Sequence, residues 1–166
     1  MDKATIIKTA VQLEKDGRAF YLGVAGRTAS PAVKQVFDSL AKDEENHIHW
    51  IQENLGVAES ARELNQETYA RVKHIFAEIP EAKRRQALAS PNDIQPLRQA
   101  IEMEIKSARA YADWAAELAD PTLKGILVKL AEVEQFHQEL LENTILYLEN
   151  PAEFFQREEG WMFDGA

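Results

Sequence analysis

The feature that most constrains this chain is a motif that occurs twice, with its copies 90 residues apart. Each copy has one Glu and, 30 residues later, the sequence Glu-x-x-His. The six motif residues are Glu14, Glu44, His47, Glu104, Glu134 and His137. Four carboxylates and two imidazoles make the ligand set of a site for two metal ions. This mixture of oxygen and nitrogen ligands suits iron or manganese.

The repeat extends beyond these six residues. When residues 10–55 are aligned without a gap to residues 100–145, 11 of the 46 positions are identical, including Tyr21 with Tyr111 and Pro31 with Pro121. An internal duplication explains this similarity. Each copy is then one supersecondary unit that cannot bury its apolar face alone, so the two copies are expected to pack together.

Each copy is predicted to be a pair of helices, because Pro and Gly are sparse and Ala, Leu, Glu, Lys and Gln are frequent. The predicted helices run from about Lys3 to Ala29, from Pro31 to Leu55 or Gly56, from Asp93 or Pro96 to Leu118, and from Pro121 to Asn150. Only a few residues separate the members of each pair. Each pair is therefore an antiparallel hairpin, and two hairpins predict an all-α four-helix bundle.

Two further segments complete the predicted organisation of a single domain. Residues 56–92 form a long crossover between the hairpins, in which Glu67 to Ile79 has the pattern of a short amphipathic helix. We assign residues 1–150 to the bundle. The tail, residues 151–166, is rich in aromatic side chains and is expected to pack on the bundle, or alternatively on a partner subunit.

The motif residues fall within the apolar stripe of their predicted helices, where surface charges do not normally lie. Glu14 lies 16 residues before position 30, and Glu44 lies 14 residues after it. At about 1.5 Å per residue, both lie about 21–24 Å from the turn between the helices. The second hairpin repeats this spacing, so all six side chains are predicted to meet at one level inside the bundle.

The charge of such a site requires compensation. Buried carboxylates without partners cost several kcal/mol each or take up protons. Two divalent cations would cancel four carboxylates, and neutral His residues would leave the filled site without net charge. In this arrangement Glu44 and Glu134 can bridge the two ions, Glu14 and Glu104 each cap one ion, and each ion has one His ligand.

Composition excludes several other classes of site and partner. The chain has no cysteine, which rules out disulfides, thiolate zinc sites and iron–sulfur clusters within it. A net charge of −9 argues against nucleic acid or an anionic membrane surface as partner. No signal-peptide h-region and no run of membrane-spanning length are present, so a cytoplasmic protein is expected.

The doubled motif, which covers both hairpins, resembles that of the ferritin-like di-iron carboxylate superfamily, and most closely its rubrerythrin-type branch. The resemblance implies that the six motif residues are metal ligands. It also implies that Tyr21 and Tyr111 lie near the metals as hydrogen-bond donors or electron relays, with an ordinary core tyrosine as the alternative. Asp43 would orient His137 through its second ring nitrogen. Its counterpart in the second copy is Val133, so the two metal positions are expected to be inequivalent.

Departures from the family pattern narrow what the resemblance implies. Glu45 stands where bacterioferritin carries its haem-ligating Met, so no haem is expected. Ser107 stands where rubrerythrin proper has an additional carboxylate, which puts a redox-linked change of ligand in doubt. Rubrerythrin proper also has a cysteine-ligated rubredoxin module. Without cysteine, this chain would need an external electron donor.

The expected function is non-haem di-iron oxidoreductase chemistry in which bound Fe(II) is oxidised by hydrogen peroxide or dioxygen. Manganese or a mixed-metal pair remains open. The long crossover favours a small oligomer, expected to be a homodimer. Three alternatives use the same sequence features: an iron-storage ferritin-like protein, a di-iron hydroxylase of an organic substrate, and a metal-free helical interaction module.

Overall fold

Four long helices make up most of the part of the chain that the computed structural model describes, which is residues 3–53, 91–154 and 156. They are α1 (Lys3–Ala25), α2 (Pro31–Glu53), α3 (Pro91–Glu117) and α4 (Pro121–Glu149). Most contacts join α1 to α2 and α3 to α4, while α1 with α3 and α2 with α4 hold the two hairpins together. The predicted all-α bundle is therefore confirmed. The predicted helix of the crossover, residues 67–79, lies outside the described residues.

The turn of each hairpin ends in a residue that caps the next helix. The Ser30 hydroxyl accepts a hydrogen bond from the backbone N–H of Val33 at 3.4 Å. Asp120, at the same position of the second copy, accepts from the N–H groups of Thr122 at 3.0 Å and Leu123 at 3.2 Å. A proline follows each cap at the first helical position, where a backbone N–H would have no helical partner. These signals explain why α2 and α4 begin where the sequence predicted.

Two helix boundaries differ from the prediction. Helix α1 ends at Ala25 and not at Ala29, because the chain tightens into a turn in which the N–H of Arg27 bonds to the carbonyl of Val24 at 2.9 Å. Helix α3 begins already at Pro91 and contains Pro96 in its second turn. So close to the helix start, Pro96 removes only one backbone hydrogen bond, which the helix tolerates.

The described core consists of two apolar clusters, each built from all four helices. The cluster near the hairpin turn of α1 and α2 includes Tyr21, Phe37, Leu97 and Leu141. The cluster at the other end includes Ile6, Ile51, Tyr111 and Leu127. On every helix the motif residues lie between these two clusters. None of the described helices is both long and apolar enough to cross a bilayer.

The first residues of the tail lie against their own bundle. Phe154 is buried, and its ring packs edge-on against Tyr147 with 5.4 Å between ring centroids. Its N–H bonds to the carbonyl of Asn150, the C-cap of α4, at 3.1 Å. Packing of the rest of the tail, on the bundle or on a partner, stays a prediction, because residues 155 and 157–166 lie outside the described residues.

Candidate metal centre

The six motif residues form one buried polar layer between the two apolar clusters. Each is at most 3% exposed. Two overlapping sets of their ligand atoms can be chosen, and within each set the atoms lie within 4.8 Å of one another. One set is Glu14, Glu44, His47 and Glu134, and the other is Glu44, Glu104, Glu134 and His137. The structure therefore brings together all six residues that the spacing placed at one level.

The two sets of candidate ligand atoms share two carboxylates. Glu44 and Glu134 occur in both sets, whereas Glu14 occurs in one and Glu104 in the other. Each set also contains one His. This sharing matches the predicted arrangement in which Glu44 and Glu134 bridge and Glu14 and Glu104 cap.

The histidine rings turn the same nitrogen toward the carboxylates. His47 Nδ1 lies 3.0 Å from Glu14 Oε2 and 3.3 Å from Glu44 Oε2. His137 Nδ1 lies 3.3 Å from Glu134 Oε2. The two rings are stacked with 5.4 Å between their centroids. Both imidazoles are thus held in parallel, each with one nitrogen available to an ion in its own set.

Two buried atoms of the layer have no hydrogen-bond partner among the described residues. Glu134 Oε2 and His137 Nδ1 are buried, and the described residues offer neither of them a hydrogen bond of acceptable geometry. A buried polar atom without a partner costs about 1–3 kcal/mol. Both atoms would become ligands if ions bound between them, and carboxylate with imidazole suits iron or manganese.

In the first set, the pKa values of the motif residues are shifted in different directions. Burial alone would raise the pKa of Glu14, but hydrogen bonds with Glu44 and His47 lower it to about 2. Burial and the charge of Glu14 raise the pKa of Glu44 to about 8. Burial would lower the pKa of His47, but hydrogen bonds to Glu14 and Glu44 raise it to about 10. At neutral pH these pKa values make Glu14 a carboxylate, Glu44 mostly a carboxylic acid and His47 an imidazolium.

The second set repeats the pattern. Burial would raise the pKa of Glu104, but the charge of His137 lowers it. Burial and the charges of the other carboxylates raise the pKa of Glu134 well above its ordinary value. Burial would lower the pKa of His137, but the charge of Glu104 raises it well above its ordinary value. Protons held on buried acids and imidazoles therefore offset part of the carboxylate charge when no ion is bound.

Two tyrosines connect the hairpins through the capping carboxylates. The Tyr21 hydroxyl on α1 donates to Glu104 on α3, and the Tyr111 hydroxyl on α3 donates to Glu14 on α1. Burial first, and then the nearby carboxylate charges, raise the pKa of both hydroxyls well above 10. Both therefore stay protonated as donors. The sequence placed them near the site, but the exchange of partners between hairpins appears only in the structure.

Asp43 lies on the far side of the His137 ring. Its Oδ2 is 3.7 Å from His137 Nε2, while the other ring nitrogen faces the carboxylates. The separation exceeds a hydrogen bond, but the position is the one from which a carboxylate could orient the ring. Val133, the counterpart of Asp43, is buried. The surroundings of the two histidines therefore differ, and inequivalent metal positions stay a prediction.

We expect Asp43→Asn to weaken metal binding selectively at the position that contains His137. Loss of a carboxylate that orients a metal-bound histidine typically lowers affinity by about 10–100-fold. Anaerobic titration with Co(II), followed by its visible absorption, would resolve the two binding steps. Asp38→Asn on the exposed face of the same helix is the matched control. Equal weakening of both steps would show that Asp43 does not act through His137.

A cavity beside the site was not predicted from the sequence. It has a volume of about 370 Å³ and opens between α1 and α3. All four motif glutamates line it. Gly17 lines it, and a Cβ at this position would lie 3.6 Å from Glu44 Cδ. The signal that could have indicated it is the alignment of Gly17 with Ser107. Both are small residues one turn after a capping Glu.

Comparison with known proteins agrees with this geometry. The family model described as Rubrerythrin matches residues 5–145, a span that contains both hairpins and all six motif residues. No match was found among curated proteins or among solved structures. The match covers most of the chain, and the buried carboxylate–histidine layer fits a di-iron protein. The chain therefore belongs to the rubrerythrin family.

Proposed function

We propose that this protein is a non-haem di-iron oxidoreductase that reduces hydrogen peroxide, with dioxygen as the competing oxidant. The observation that carries the proposal is the pair of ligand sets that share Glu44 and Glu134 inside a rubrerythrin-family bundle. When bound, two ferrous ions supply one electron each. With two protons, these electrons cleave the O–O bond of peroxide to give two molecules of water.

The residues around the site would hold both oxidation states of the pair. Glu44 and Glu134 contribute to both positions and so keep the ions adjacent. Tyr21 and Tyr111 donate to the two capping carboxylates and fix their orientation. Because these hydroxyls stay protonated, the donor contacts persist over the whole physiological pH range. The residues thus form a site that is preorganised before the ions bind.

Electrons to reset the site would come from outside the chain. The sequence contains no cysteine and so offers no thiolate-bound iron of its own as a donor. We propose a separate reductant and a small assembly, a homodimer. Size-exclusion chromatography tests the assembly, since a cage-sized particle would favour the storage function instead.

Rapid mixing of the Fe(II)-loaded protein tests the proposed reaction. After anaerobic loading, two irons per chain are expected, and peroxide should oxidise them much faster than dioxygen does. Two irons are expected because two divalent ions would neutralise four carboxylates. Stopped-flow absorbance would follow oxidation, and iron analysis would count the ions. Faster oxidation by dioxygen with many irons retained would indicate storage, and failure to bind two ions would contradict both functions.

A further inference from the structure

The cavity between α1 and α3 is built differently at its two ends. Its inner end is formed by the carboxylates Glu14, Glu44, Glu104 and Glu134. Its walls are small or apolar side chains, namely Leu13, Gly17, Met103, Ser107, Ala110 and Trp114. Asp16 and Lys106, one acidic and one basic residue, lie at its exposed outer end. An uncharged ligand could therefore enter without meeting a field of one sign.

The volume of the cavity exceeds what hydrogen peroxide needs. A water molecule has a share of liquid volume of about 30 Å³, so a two-oxygen peroxide would leave most of the 370 Å³ unfilled. Ligand sites of this size usually have apolar walls and a few polar groups that fix orientation. Among the described lining residues, the charged groups lie at the carboxylate end and the outer end, while Thr9 and Tyr21 each add one hydroxyl. The shape of the cavity suits a molecule with one polar and one apolar part.

Specific residues create the apolar depth. Gly17 and Ser107 stand at equivalent positions on α1 and α3, and neither side chain fills the space beside its capping Glu. Trp114 gives the wall a flat apolar surface, and its ring packs edge-on against Tyr111 with 5.7 Å between centroids. Because Tyr111 is itself tied to Glu14, this wall has a defined position relative to the site.

We infer that this cavity binds the organic part of an alkyl or arylalkyl hydroperoxide, with its O–O group directed to the carboxylates. The inference rests on the proposed peroxide reduction and names its substrate class. The O–O bond breaks, two electrons come from the two ferrous ions, and two protons are taken up. The products are the corresponding alcohol and one water molecule. The apolar walls favour the organic group, which hydrogen peroxide lacks.

The first experiment measures binding without metal. The probe is 2-phenyl-2-propanol, the alcohol formed from cumene hydroperoxide, added to the metal-free protein. NMR should show shifts at the Gly17 amide and the Trp114 indole. Ala110→Leu fills the cavity and should weaken binding by at least about tenfold. Ala112→Leu makes the same change two residues away on the exposed face of α3 and should bind as the native protein does. Ser107→Leu is a second filling variant if the first does not fold.

The second experiment compares two oxidants on the Fe(II)-loaded protein. The ratio of the rate with cumene hydroperoxide to the rate with hydrogen peroxide should fall by at least about tenfold in Ala110→Leu and remain native in Ala112→Leu. This inference alone is overturned if the protein reduces hydrogen peroxide but binds no alcohol. The same holds if it reduces hydrogen peroxide and the two variants bind the alcohol equally. Reduction of neither peroxide overturns both this inference and the proposed function.

Discussion

Glu134→Ala should weaken the binding of both metal ions, whereas Glu104→Ala should weaken only one. Glu134 belongs to both ligand sets and Glu104 to a single set, so their removal takes ligands from two positions or from one. Glu44→Ala should behave like Glu134→Ala, and Glu14→Ala like Glu104→Ala. Even the loss of a group that only supports a ligand costs about 10–100-fold in affinity, so loss of a ligand should cost at least about 100-fold.

Anaerobic titration with Fe(II) or Co(II) would measure the number of ions bound to each variant. Glu139→Ala, on the exposed face of the same helix as Glu134, is the matched control and should keep two ions. Far-UV circular dichroism of the metal-free proteins would show that the bundle persists. Two ions retained at native affinity by Glu134→Ala would show that the proposed bridging role is wrong.

Loading the site with two divalent ions at pH 7 should release at least about two protons per chain. In the metal-free protein Glu44, with a pKa of about 8, is mostly a protonated acid, and the pKa of Glu134 is also raised. His47, with a pKa of about 10, and His137, with a raised pKa, each carry an additional proton. Ligands must lose these protons to bind ions, so Glu44 and His47 account for two, and the raised pKa values of Glu134 and His137 favour further release.

The same exchange determines how affinity depends on pH. All four groups have raised pKa values, so protons compete with the ions at pH 7 and compete more strongly as pH falls. With up to two protons displaced per ion, affinity should rise by up to about 100-fold per pH unit. The slope should flatten as the pH passes about 8, because Glu44 is then already ionised.

Calorimetric titration in two buffers with different ionisation enthalpies would count the released protons. His49→Ala is the control, since His49 is exposed on the same helix as His47 but takes no part in the layer. Its proton count should equal that of the native protein. Release of one proton or none would show that the metal-free layer is already ionised, contrary to the charge distribution described above.

Local features of the sequence were sufficient to predict the two hairpins and the six residues that form the buried polar layer. The spacing from Glu14 to Glu44 places both at one height across a turn. The capping residue and proline before each second helix define where α2 and α4 begin. The sequence signals for the end of α1 and the start of α3 were weaker. Helix α1 ends at a turn four residues before the expected position, and α3 accepts Pro96 inside its second turn.

The sequence by itself determined which side chains lie on the inner face of each helix, because residues three or four apart share a face whatever the rest of the chain does. Only the tertiary structure decided how one hairpin meets the other. That docking pairs Tyr21 with Glu104 and Tyr111 with Glu14, and it leaves the cavity open between α1 and α3. Such contacts join residues that are far apart in the sequence, and their geometry depends on how side chains from all four helices pack. The repeated motif therefore predicted a metal site, while the packing of the hairpins determined what can reach it.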